Sequence, residues 1–205
     1  ALDTTAAGDM WDNFDALTTG NAATKAAGAG ENSFFYTLPS MVDGLSVSAS
    51  LNTAGTTGNS ALGYSATYAG VEGLSISFGV ADIESGAAST TGDQTAMKAS
   101  YAYGPVTVAY SNSEYSVGAA NTEDLFQEVT SYAVSYTVSD AISVTYGTET
   151  VESGLSTDLD AEYEKLSASY TAGGMTISVT TAEAENVSHS TGTGEDADYW
   201  ALGLS

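Results

Sequence analysis

The sequence predicts an all-β fold, an antiparallel meander of some eleven strands, and within that class a transmembrane β-barrel rather than a soluble sandwich. Three observations predict it. Residues 32 to 205 alternate apolar and polar with a period of two, the connections between the alternating runs are short and long in turn, and tyrosines recur on the apolar parity close to the short turns.

The alternation places strands at roughly 33–38, 45–52, 61–69, 74–81, 95–103, 106–112, 129–138, 141–148, 161–171, 175–182 and 197–205. One face of each is large and apolar, as in Leu74, Ile76 and Phe78, in Tyr132, Val134 and Tyr136, or in Met175, Ile177 and Val179. The other is small and mostly hydroxylic, as in Ser75, Ser77 and Gly79, or in Thr176, Ser178 and Thr180. Side chains at i and i+2 share a face of a strand, so each run has one greasy and one wettable side.

Short turns fall at Pro39–Gly44, Ala69–Gly73, Gly104–Pro105, Ser139–Asp140 and Ala172–Gly174, and each is followed at the next connection by a long acidic one rich in Gly, Asn and Thr. One end of the sheet is therefore trimmed and the other elaborated. Of the 26 acids only Asp43, Glu72 and Asp140 lie in short turns, which polarises charge along the strand axis.

A sandwich with one face buried and one wet has the same alternation. Tyrosine placement separates the two. Tyr68, Tyr103, Tyr136 and Tyr170 stand 35, 33 and 34 residues apart, the length of successive hairpins, and so line up at one height in a meander. A membrane-water interface favours such a girdle, because the ring is apolar and its hydroxyl wet. Lys98 and Lys165 lie inside strands on the small-residue parity, and a lysine at mid-depth on the lipid face costs about 2–4 kcal/mol. The small-residue face is accordingly the wet one. A soluble or cell-surface acidic β-sandwich, an adhesin or surface-layer protein, stays as the second reading.

Composition narrows the function. Three lysines and no arginine against 26 acids, a net charge of -23, exclude nucleic acid as a partner because nothing can neutralise phosphates. The absence of cysteine excludes disulfides and thiolate metal sites. No apolar run approaches the eighteen residues of a transmembrane helix, whereas a barrel strand needs only about nine to eleven alternating ones. No basic and apolar leader opens the chain, so any signal peptide is expected to have been removed or to lie upstream. No catalytic constellation is present, so the chain reads as a non-enzyme. His189 stands alone in a polar loop, Gly28 and Gly30 lack a nucleotide-binding spacing, and the sequon at Asn186 carries little weight in a bacterial barrel.

No cofactor is required. Two acidic stretches are weak Ca²⁺ candidates, Asp158 and Asp160 in "TDLDAEYE", and Glu195, Asp196 and Asp198 in "GEDAD". Neither has EF-hand spacing, and a solvated acidic loop is the plainer account. In "GDMWDNFDALTTG" a helix would put Asp9, Asp12 and Asp15 on one side and Met10, Trp11, Phe14 and Leu17 on the other.

The phrases "GVEGLSISFGVAD", "MKASYAYGPVTVAYSNSE", "TSYAVSYTVSDAISVTYG", "EKLSASYTAGGMTISV" and "DYWALGLS" resemble Gram-negative outer-membrane porins, particularly those of alphaproteobacteria, over nearly the whole chain. The resemblance implies a homotrimeric, water-filled channel for passive diffusion of small hydrophilic solutes and ions, set in the outer-membrane bilayer against lipopolysaccharide. It also implies a barrel of about sixteen strands. Eleven cannot close one, and in these porins a loop after the fifth strand folds inward while eleven strands follow. Residues 1–31 are thus expected to be an outer loop segment, the inward constriction loop, and residues 32–205 the strands that follow it. Asp9, Asp12 and Asp15 would then show carboxylates to the pore, with Lys98 and Lys165 on the opposing wall and a mild preference for cations. An arginine cluster usual in the family is absent from this chain. Barrel proteins also tend to finish on an outward aromatic, whereas Ser205 follows Trp200, Leu202 and Leu204, so a few further terminal residues are expected.

Overall fold

The computed structural model describes residues 33–53, 60–84, 92–117, 126–153, 159–187 and 196–205. They form β1 (Ser33–Thr37), β2 (Leu45–Thr53), β3 (Ser60–Tyr68), β4 (Leu74–Glu84), β5 (Gly92–Tyr103), β6 (Val106–Val117), β7 (Phe126–Ser139), β8 (Ile142–Ser153), β9 (Ala161–Ala172), β10 (Met175–Glu185) and β11 (Ala197–Leu204). Each strand pairs antiparallel with the next in the chain, giving one sheet in the order β1 to β11. The all-β meander read from the alternation is the observed architecture. The segment 1–31 lies outside the described residues.

Most of the trimmed ends turn on glycine, the exception being the one between β7 and β8 at Asp140 and Ala141. Gly44 and Gly73 have φ of 74° and 78°, the left-handed region that a side chain resists. A Cβ at Gly44 would collide with the Gly70 backbone and one at Gly73 with the Ala102 carbonyl, so neighbouring turns sit too close for any other residue. The same turns donate and accept across hairpins: the Ala69 N–H donates to the Gly44 carbonyl at 2.7 Å and the Ala102 N–H to that of Gly73 at 2.8 Å. Turns are thereby tied to the next hairpin as well as closing their own.

The sheet exposes its large apolar side chains and shelters its small ones. Trp200 is 72% exposed, with Leu202, Leu204, Tyr103 and Phe34 all above 60%, while the serine and threonine face is mostly half-buried or buried, apart from residues beside the short turns such as Ser46, Thr107, Thr137 and Thr171. A sandwich would bury the large-residue face, so this distribution sets the sandwich reading aside. It is what a wall curled around its small-residue face produces, with the convex side left for lipid. On β7 the outward apolar run from Val138 to Tyr132 spans about 20 Å of strand, a thin band.

Beyond that band the polarity of the sheet inverts. Outward positions become Asp82, Glu84, Asp93, Glu114, Glu128, Glu152, Glu162, Glu164, Glu183, Glu185 and Asp198, and several oppose one another directly, as Glu128 does Glu114 and Glu152, and Glu183 does Glu164 and Asp198. Inward positions on β7 to β10 become Val129, Val151, Ala161, Tyr163, Ala182 and Ala184, all buried. The inversion explains where the predicted strand limits fall short. β4 runs to Glu84 instead of 81, β6 to Val117 instead of 112, β8 to Ser153 instead of 148 and β10 to Glu185 instead of 182, while β5 and β7 begin three residues earlier than the alternation places them. The strands continue past the apolar band, where apolar-out no longer applies.

Among the described residues β1 and β11 each pair on one side only. Two open edges in lipid would leave rows of backbone groups without partners, at several kcal/mol each. The sheet therefore requires further strands before it can stand in a bilayer.

Candidate functional site

The concave wall begins, next to the short turns, as a ladder of hydroxyls. Register places small polar residues opposite one another, and they bond across strands: Thr67 Oγ1 with Ser77 Oγ at 3.0 Å, Ser135 Oγ with Thr145 Oγ1 at 2.8 Å, Ser143 Oγ with Ser169 Oγ at 2.8 Å, and Thr171 Oγ1 with Thr176 Oγ1 at 2.9 Å. Hydroxyls both donate and accept, so such a surface stays wettable without carrying charge.

Lys98 and Lys165 lie on this wall, as their parity predicts, both half-buried. Lys98 stands between Ser77 and Ser111, and Lys165 between Gly147 and Ala182. They are on β5 and β9, four strands apart, or about 19 Å of wall. Both are on the face expected of them, at two places along it. Asp9, Asp12 and Asp15 lie outside the described residues.

One charged residue on the wall escaped that reading. Glu149, only 2% exposed, accepts a hydrogen bond from Ser131 Oγ at 2.7 Å and stands directly across from Tyr163, one rung of the sheet beyond Lys165. Its signal was present in the parity of Thr145, Gly147 and Glu149, but the predicted strand stopped one residue short of it. Gln94, 1% exposed, and Ser113 are also buried on the concave face, and neither the Gln94 amide nor the Ser113 hydroxyl has a hydrogen-bond partner.

On the convex face Tyr68, Tyr103, Tyr136 and Tyr170 are all exposed. They form a stepped row, not a level one. Tyr103 and Tyr136 share a rung through Val106, Tyr103 lies four residues nearer the turns than the rung of Tyr68, and Tyr170 two residues nearer than the rung of Tyr136. Strands tilted against the membrane normal require a descent of this kind. A second row, Tyr64, Tyr110, Tyr132 and Tyr146, runs parallel to it at the upper limit of the apolar band; within it the Tyr110 and Tyr132 rings lie 5.1 Å apart.

Of the Ca²⁺ candidates, Asp158 and Glu195 lie outside the described residues. Asn186 brings the two acidic stretches together. Its side-chain amide donates to the Asp160 carbonyl and its backbone N–H to Asp196 Oδ1, both at 3.3 Å, from a left-handed backbone with φ of 52°. Among the described residues no group of three or more acids or histidines is close enough to hold a metal ion.

No family model and no curated protein matches the chain. Solved structures match its fold. An anion-selective porin from Comamonas acidovorans is 15% identical with a TM-score of 0.61, covering 75% of this chain and 48% of that one. A porin refined at 1.8 Å is 18% identical with a TM-score of 0.61, covering 83% and 59%. OmpT, an outer membrane protein of Vibrio cholerae, is 15% identical with a TM-score of 0.56, covering 84% and 62%. The chain thus has the fold of a porin wall over roughly half to three-fifths of such a wall's length.

Proposed function

We propose that this chain is the larger part of an outer-membrane porin of a Gram-negative bacterium, of the alphaproteobacterial type its strand phrases resemble. It lines a water-filled channel through which small hydrophilic solutes and ions diffuse passively. One observation carries the reading: the sheet turns its large apolar side chains outward and its cross-strand hydroxyl ladder inward. That is the inside-out arrangement of a lipid-embedded wall around water. The two open edges support completion by about five upstream strands, with residues 1–31 as the inward loop between the two parts; assembly into a homotrimer is what the resemblance to porins adds. The girdle tyrosines meet the bilayer interface, and the acidic belt above them lies at the level of the lipopolysaccharide headgroups. Ca²⁺ at the Asp160 and Asp196 stretches would be an accessory of the outer loops, and the barrel needs no cofactor.

One of the matched porins is anion-selective. A net charge of -23 argues for the opposite, mild preference here, because a field of carboxylates raises the local cation concentration. The full-length protein in planar bilayers is expected to give stepwise ohmic currents with a reversal potential on the cation side that fades as salt rises. Lys98→Met and Lys165→Met should each move that potential further toward cations. Bilayers that stay silent would remove the channel reading, and strong anion preference at low salt would remove the cation preference.

A further inference from the structure

A water-lined wall should not carry a dry apolar cluster, yet this one does. Val129, Val151 and Ala161 occupy one rung of the concave face, and Ser131, Glu149, Tyr163 and Ala184 the next rung toward the membrane. Val129, Val151, Ala161, Tyr163 and Ala184 pack as one cluster, and Val187 closes over it. Val187 is brought there by Asn186, whose left-handed backbone turns the chain at the end of β10 and whose amide is held by the Asp160 carbonyl. Tyr163, the largest of these side chains, is 1% exposed. The outward neighbours on the same strands are Glu128, Glu152, Glu162, Glu164, Glu183 and Glu185, so at this level the wall is built like a soluble protein, charged outside and greasy inside.

We infer that β7 to β10 form a dry plug on one side of the outer mouth, and that Tyr163 is the residue that sets its bulk and so limits the size of solutes that pass. Water and solutes enter along the remaining wall. Glu149 and Ser131 share the lower rung of the plug with Tyr163 and Ala184 and are buried with it, so this carboxylate acts on the pore by its field and not by direct contact with solute. The inference rests on the channel reading.

The chain contains no cysteine, so single thiols can be introduced and followed without background. In the full-length protein in native membranes, Val151→Cys should react with a small charged thiol reagent more than about tenfold slower than Ser167→Cys, because reaction at a dry site needs local opening of the cluster. Similar rates for the two would overturn the plug. A Ser167→Cys thiol that reacts no faster than one at Ala168→Cys on the convex face would instead overturn the channel reading, which keeps the two failures apart. Tyr163→Ala should raise single-channel conductance and admit larger sugars in liposome swelling, whereas Glu164→Ala on the outer face should change neither. If Tyr163→Ala does not fold, Tyr163→Leu is the second variant, and an unchanged size limit in a folded variant counts against the inference.

Discussion

Ser131 donates a hydrogen bond to a carboxylate that water barely reaches: its Oγ lies 2.7 Å from Glu149 Oε2 on the next strand. A hydrogen bond to a buried carboxyl group is lost without replacement by water, so this bond is worth more than a surface one. Ser131→Ala is expected to lower stability by about 1–3 kcal/mol, read as a lower unfolding midpoint in detergent. Ser135→Ala, where the bond to Thr145 is between neutral hydroxyls, should cost less.

The orientation of β10 can be tested with one charge moved by one residue. Val179 faces out and Thr180 faces in, and both lie at the same depth. Val179→Lys should cost about 2–4 kcal/mol and reduce assembled barrel in the membrane, while Thr180→Lys assembles normally and shifts the channel toward anions. Heat-modifiability on gels reads the first and reversal potential the second.

Two glycines separate backbone strain from crowding. Gly73 and Gly104 both have left-handed backbone, but only at Gly73 would a Cβ meet a neighbour, the Ala102 carbonyl oxygen. Gly104→Ala should cost about 1–2 kcal/mol from conformation alone. Gly73→Ala should cost more, because its Cβ also pushes against the Ala102 carbonyl oxygen, in the same residue whose N–H bonds the Gly73 carbonyl at 2.8 Å. Comparison of the two unfolding midpoints measures the steric part.

The acidic belt beyond the apolar band is expected to be self-repelling. Glu183 has Glu164 on one side and Asp198 on the other, and like charges directly opposite destabilise a sheet. Raising ionic strength from about 0.01 M to about 0.15 M shortens the screening length from about 30 to about 8 Å and should raise the unfolding midpoint. Glu183→Gln should be more stable than the native sequence at the low salt and nearly equal to it at 1 M.

Much of this was legible in the sequence, and the limits of legibility have a physical cause. Period-two alternation identifies a strand only while one face meets one solvent. It therefore located all eleven strands and every short turn, then failed where the wall leaves the lipid and Val151 faces in while Glu152 faces out. Glu149 was lost with the end of β8. The lower tyrosine row was visible because Tyr68, Tyr103, Tyr136 and Tyr170 lie on alternate strands, one hairpin apart. The upper row lies on β3, β6, β7 and β8, at irregular separations, so only the register brings it together. Burial of Tyr163 was not legible at all: its neighbours in sequence are Glu162 and Glu164, and its packing partners come from three other strands and the turn after β10.

The central claim is that one face of this sheet meets water and the other lipid, and cysteine scanning along β10 tests it most directly. In the full-length protein in native membranes, a hydrophilic thiol reagent should modify cysteines at Thr176, Ser178 and Thr180 and leave those at Met175, Ile177 and Val179 unreacted, a period of two over six residues. Reactivity that is uniform along the strand, or highest at Met175, Ile177 and Val179, would contradict the account.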